Sequence, residues 1–228
     1  MKKLNYALML MFITLTIVSC SKSEWKKSTE VAFLVDVNKE ASMDGKLFFT
    51  EGQIVLRNIT FDGKRIQADD VYFEADFDKG LKVALSSTTA NSSLVFDIPQ
   101  GTYSSVRIDF EAEESDDELI IIKGFYTNSS GIELPIIIEL IEIEFYDKIA
   151  KTAQGEVEID LVAGNPKKAT IILDPIFWFG TFSLNQLDNA ETTLVNGVET
   201  ILINEENNES LHNIIEDRIG ANEKVTFN

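Results

Sequence analysis

From Val31 onward the apolar residues of this chain fall at every second position, and that rhythm restricts the fold more than any other feature of the sequence. Val31, Phe33, Val35 and Val37 share one side of an extended segment. Val71, Phe73, Ala75 and Phe77 alternate with Tyr72, Glu74 and Asp76, and Val106, Ile108 and Phe110 repeat the pattern. A spacing of two puts each set on one face of a strand, where it is buried, and leaves the other face to water. Residues 47–61 read as one longer extended stretch bent near Gly52, with Val55, Ile59 and Phe61 on one side. Leu81, Val83 and Leu85, then 94–98, then Val157, Ile159 and Leu161, then 169–173 continue the series.

Turn chemistry divides the strands. Asp62-Gly63 is a two-residue hairpin signal, because both residues tolerate the positive φ that a type I′ turn needs. Asp78-Lys79-Gly80 predicts another turn, and Pro99-Gln100-Gly101 a break. Asn128-Ser129-Ser130-Gly131 joins two segments, 119–127 and 132–140, so dense in Ile and Leu that they predict burial on both faces at the centre of a sheet. Pro135 argues instead for an edge or a bulge, since it cannot donate to a ladder.

Helical spacing appears late. Leu211, Ile214, Ile215 and Ile219 predict a helix over 208–219, with Asn208 or Ser210 as cap and Gly220 as stop. A shorter helix over 183–190 would take Ser183 as its cap, and Val225 and Phe227 end the chain as a strand. The expected fold is all-β: a single antiparallel β-sandwich of about nine to eleven strands with short C-terminal helices, spanning 31–228.

What precedes that domain is of another kind. Lys2 and Lys3 stand before an uncharged apolar run, 4–18, which ends in Ile17-Val18-Ser19-Cys20. The run has the make-up of a secretory signal and is short of the roughly 20 residues a membrane span needs. A branched aliphatic, a small residue and then Cys resemble the lipobox of bacterial lipoproteins. That likeness implies that 1–19 are removed and that Cys20, the one cysteine of the chain, carries the lipid. Residues 20–30, with three serines, three lysines and no periodicity, then form a flexible lipidated tether. Acyl chains contribute about 0.8 kcal/mol per buried methylene, so two or three of them hold a protein stably at a bilayer.

Charge and side-chain inventory remove several functions. The net charge is −18, and it becomes more negative once Lys2 and Lys3 leave with the leader. Such a body repels phosphate backbones, which excludes nucleic acid as a partner. With Cys20 lipidated there is no thiol left for a disulfide, a metal thiolate or a nucleophile. His212 is the lone histidine and falls on the polar side of its helix, an ordinary surface residue, so no zinc site of the common kinds can be assembled. No cofactor is expected. Carboxylates are abundant, and a paired-carboxylate hydrolase stays open as the alternative from the enzyme class. Residues 111–118 hold six acids in eight positions and read as a solvated loop that could take calcium weakly. The aromatic run Phe177, Trp178, Phe179 is the candidate ligand or partner surface; its competing reading is a plug in the open end of the sandwich.

The lipobox, the turn Phe96-Asp97-Ile98-Pro99-Gln100-Gly101-Thr102-Tyr103, and Leu173-Asp174-Pro175 with Trp178-Phe179 resemble the uncharacterised β-rich lipoproteins of Bacteroidota cell envelopes. The resemblance implies an outer-membrane or cell-surface lipoprotein, held to the membrane by its lipid and without catalytic residues. The expected role is a non-enzymatic binding module for a glycan or nutrient; the alternative is an adhesive or fimbrial-type component with a protein partner. Cys20→Ala is expected to move the protein from the membrane pellet to the soluble fraction, and mass spectrometry of the wild-type mature terminus should show the acylated cysteine.

Overall fold

The computed structural model describes residues 24–112, 120–141, 144–180 and 184–228. The leader and Cys20 lie outside the described residues, as does Ser183. In chain order the strands are β1 (Ser28–Val37), β2 (Leu47–Arg65), β3 (Val71–Leu85), β4 (Val95–Pro99), β5 (Gly101–Ala112), β6 (Ile120–Thr127), β7 (Glu133–Leu140), β8 (Glu144–Ile149), β9 (Lys151–Thr152), β10 (Ile159–Leu161), β11 (Lys167–Leu173), β12 (Thr192–Val195), β13 (Val198–Ile203) and β14 (Lys224–Phe227). Among the described residues the helices between strands are a 3-10 turn at Ser92–Leu94 and α1 (Pro175–Phe179), α2 (Leu184–Asp188) and α3 (Glu209–Glu216).

The strands form two sheets, as the alternation requires. A five-stranded sheet runs β4-β1-β11-β14-β9, and a nine-stranded one follows the path β10-β5-β2-β6-β7-β13-β12, with β3 added beside β2 and β8 beside β5. Inward residues from both sheets make one core that includes Phe33, Val35, Phe49, Leu56, Phe61, Ile108, Phe110, Ile136 and Ile171. The rings interlock: Phe33 meets Phe227 edge-on at 6.4 Å, and Phe110 stacks on Tyr146 at 4.3 Å. Phe73 of the large sheet reaches Phe96 of the small one at 4.8 Å.

Several elements differ from the expectation, each for a physical reason. The sandwich is mixed, because β1 pairs with β11, β13 with β7 and β14 with β9 in parallel. The first strand starts at Ser28, inside the expected tether. The residues before it are tied down: Arg65 donates to the Trp25 carbonyl at 2.9 Å and the Gln100 side chain to that of Glu24 at 2.8 Å.

Asp62-Gly63 lies within β2 and turns nothing. A Cβ at Gly63 would press on the rings of Phe61 and Tyr103, so the glycine is there for close packing. The chain turns later, where Asp70 accepts from the Arg65 N–H. Asp78-Lys79-Gly80 is likewise no hairpin: it lies in a bulge of β3, where the pairing jumps from Asn58–Asp76 to Leu56–Leu81 and Gly80 takes φ +68°.

β6 and β7 are interior, as their Ile and Leu content implied, but only one face of each is fully buried. Pro135 fits there because the ladder to β13 covers residues 136–138 alone, so no bond to that strand is asked of it. Across β2 and β6 the backbones approach so closely that a Cβ at Gly124 would overlap the Phe48 carbonyl oxygen. Gly124→Ala is therefore expected to cost about 1–3 kcal/mol through forced backbone displacement, read as a lowered midpoint in urea unfolding.

Candidate functional site

An open groove of about 580 Å³ lies at one end of the sandwich, between the loop that follows β1 and the short helix α1. Met43, Leu47, Ile176, Phe177, Phe179 and Leu187 supply apolar surface; Asn38, Glu40, Ser42 and Asp44 supply polar groups. A volume of this order is normal for a small-ligand site.

Local chemistry fixes the loop wall. The Ser42 hydroxyl donates to Asp44 at 2.5 Å, Asp44 accepts from the Lys46 N–H, and the same Ser42 oxygen accepts from the Leu47 N–H. Gly45, at φ +72°, closes this turn by donating to the Ser42 carbonyl at 2.7 Å. The Ser42 hydroxyl, more than any other group, holds the Asp44 carboxyl below its ordinary pKa. The loop is thus pinned by its own hydrogen bonds.

The helix wall begins at Asp174, whose side chain accepts from the Phe177 N–H while Pro175 occupies the first turn. Asp174 is nearly buried and serves three elements. Its two oxygens also accept from Asn38 at 2.9 Å and from Asn222 at 2.6 Å, tying loop, helix and C-terminal segment together.

The five-residue helix then separates the three candidate aromatics. Trp178 is fully buried and donates from Nε1 to Glu223 at 3.0 Å. The other Glu223 oxygen lies 3.6 Å from the Lys148 ammonium, which also donates to the Gly220 carbonyl. Trp178 is therefore a core residue and offers no surface; a buried indole N–H needs an acceptor, and Glu223 is it. Phe179 packs inward on Phe49 at 5.9 Å and is buried where it lines the groove. Phe177 points outward at 38% exposure, with the Arg218 guanidinium 4.8 Å from its ring centre and bonded to its carbonyl. One aromatic of the three is left to meet a ligand.

His212 is a second correction. It is buried, at 1% exposure, beside Leu211 and Ile215, with Nε2 3.5 Å from Glu216. The expected polar side of that helix is covered because α3 packs on both β13 and α1, so its inner stripe spans more than one row. Nor does Asn208 cap it: at φ +55° its side chain bonds Glu191 and Leu202 instead.

Among the described residues no three His, Cys, Asp or Glu side chains are gathered to hold a metal ion. Of the acidic segment 111–118, residues 113–118 lie outside the described residues; Glu111 is in β5 and accepts from Asn58 at 2.9 Å. Carboxylates do collect on the outer face of the large sheet. In successive rows Glu74, Thr60, Asp109 and Asp147 stand side by side, then Tyr72, Asp62, Arg107 and Ile149. Asp109 and Asp147 are paired across the strands, and partial burial followed by the charge of Asp147 pushes the Asp109 carboxyl up to about 6. This pair sits on an open sheet face, away from the groove.

Compared with known proteins, the chain matches no family model, and no curated protein or solved structure matches it either.

Because the Asp109 pKa is raised in the folded state, the associated stability is complete below about 3.8 and is lost as pH rises through about 6. Asp109→Asn, which cannot ionise, is expected to gain about 1 kcal/mol at pH 7.5 after discounting for solvent screening. That gain is about 2–4 °C in Tm for a chain of this size, and it should vanish by pH 4; thermal scans at the two pH values check it.

Proposed function

We propose that the protein is a non-enzymatic binding module of a bacterial envelope, held at the outer membrane by a lipid on Cys20, whose groove captures an uncharged glycan. The observation that carries this reading is the groove itself. Its walls are pinned by local hydrogen bonds, its lining is mostly apolar, and exposed Phe177 shares it with the carboxylates of Glu40 and Asp44. A sugar ring has the matching chemistry, with C–H faces that lie against an aromatic ring and hydroxyls that donate to carboxylates. The strong negative charge argues for neutral sugars over anionic ones. The lipobox likeness and the β-rich envelope lipoproteins that the chain resembles support the location.

A carboxylate-dependent hydrolase is less well supported: the neighbouring carboxyl groups Asp109 and Asp147 lie on the outer face of a sheet, with no cleft described around them. Nothing there would shield a glycosidic bond from water.

Calorimetric titration with a panel of neutral oligosaccharides should give saturable binding for at least one member. Phe177→Ala should weaken it about tenfold, while Asp109→Asn leaves it unchanged. No binding across the panel, or binding indifferent to Phe177, overturns the proposal.

A further inference from the structure

A different part of the molecule presents a second surface, and it does not depend on the groove. Among the described residues β3 is paired with β2 alone, so the whole length of its other edge carries no ladder. At fifteen residues it is far longer than the edge strands β4, of five, and β12, of four. Every second residue of such a strand turns its N–H and C=O toward the open side, a template for a further strand.

The two faces of β3 specify what could be added. On the inner face Val71, Phe73, Ala75 and Phe77 are only partly buried, although they pack against the core. Phe73 stacks on Phe61 at 5.4 Å and meets Phe96 at 4.8 Å, so the seam between the two sheets is apolar and incompletely covered. On the outer face stand Tyr72, Glu74 and Asp76, all exposed, and behind them Asp62, Asp109, Glu111 and Asp147; Arg107 stands among those rows, and Arg57 shares a hollow with Asp76 and Asp78.

We propose that the open edge of β3 receives a strand from a partner protein, a segment in which Lys or Arg alternates with branched or aromatic apolar residues. The apolar set covers Val71, Phe73, Ala75 and Phe77. The cationic set falls beside Glu74 and Asp76, where opposite charges on neighbouring strands attract and like charges repel. The same rule opposes a second copy of this chain in registers that set residues 72–78 of one β3 against those of the other, where carboxylates would meet carboxylates. Addition of a strand to an exposed edge draws affinity from main-chain hydrogen bonds and specificity from the alternating side chains.

The test uses three ten-residue peptides with the purified chain: valine alternating with lysine, valine alternating with glutamate, and the first composition rearranged into one block of each residue. Fluorescence anisotropy should give the alternating lysine peptide at least about tenfold tighter binding than either control, weakening as salt is added. Hydrogen exchange should show new protection at amides within residues 71–77. Glu74→Lys combined with Asp76→Lys, both exposed positions, should reverse the preference toward the glutamate peptide. Equal binding of the block peptide, protection confined to β4, β12 or the groove, or no binding at all would each overturn the proposal. So would a folded double variant with unreversed preference; if that variant fails to fold, the exchange map of the wild-type chain decides.

Discussion

The structure depends on one strand serving three partners. β2 runs nineteen residues, pairs with β6 over its first half and with β5 over its second, and holds β3 along most of its opposite edge. A straight strand of that length would extend about 60 Å, more than a small sandwich can cover. Irregularities between Phe49 and Glu51, Leu56 and Asn58, and Lys64 and Arg65 break it into segments that bend and twist. Glycine permits the tightest contacts, at Gly52 and Gly124 where β2 crosses β6 and at Gly63 beneath Tyr103. Sheet curvature, and with it the enclosure of the core, follows from those few positions.

The groove inherits its form from polar groups that the core has enclosed. Asp174 and Glu223 are both buried, and both are partnered: the first by two asparagines and a helix N–H, the second by an indole and an ammonium. Removing one member of such a set strands the rest in a low dielectric, which costs more than the bond itself. The set therefore dictates which way a five-residue helix faces. Trp178 is held inward, and Phe177, one position earlier, must then face out.

Strand existence was legible in the sequence because a period of two survives any arrangement of partners. Partnership was not. Nothing in Val31 to Val37 announces that they lie parallel to residues 167–173, well over a hundred positions away. Dipeptide signals proved ambiguous in the same way. Asp62-Gly63 carries a turn composition and lies in a strand, whereas Asn196-Gly197, with both φ values positive, does make the hairpin between β12 and β13. The difference lies in what packs on the glycine. Of the candidate surface, the aromatic run was visible, but its division was hidden because Glu223, forty-five positions downstream, decides it. Asp174-Pro175, a cap followed by a first-turn proline, was the local sign of α1. His212 was misplaced because a helix of eight residues shows its periodicity but not how many neighbours cover it.

The small sheet has an awkward assembly order. Its second strand in space is the first in the chain, β1, and it stands beside β11, which stands beside β14 at residues 224–227. Contacts between such distant segments form late, after loop closure has been met. As the polypeptide is synthesised, one edge of β1 can pair with β4 once residue 99 has emerged, but its other edge must wait until residues 167–173 are made. That late-covered edge is where a growing chain of this topology is most open to misassociation with its neighbours.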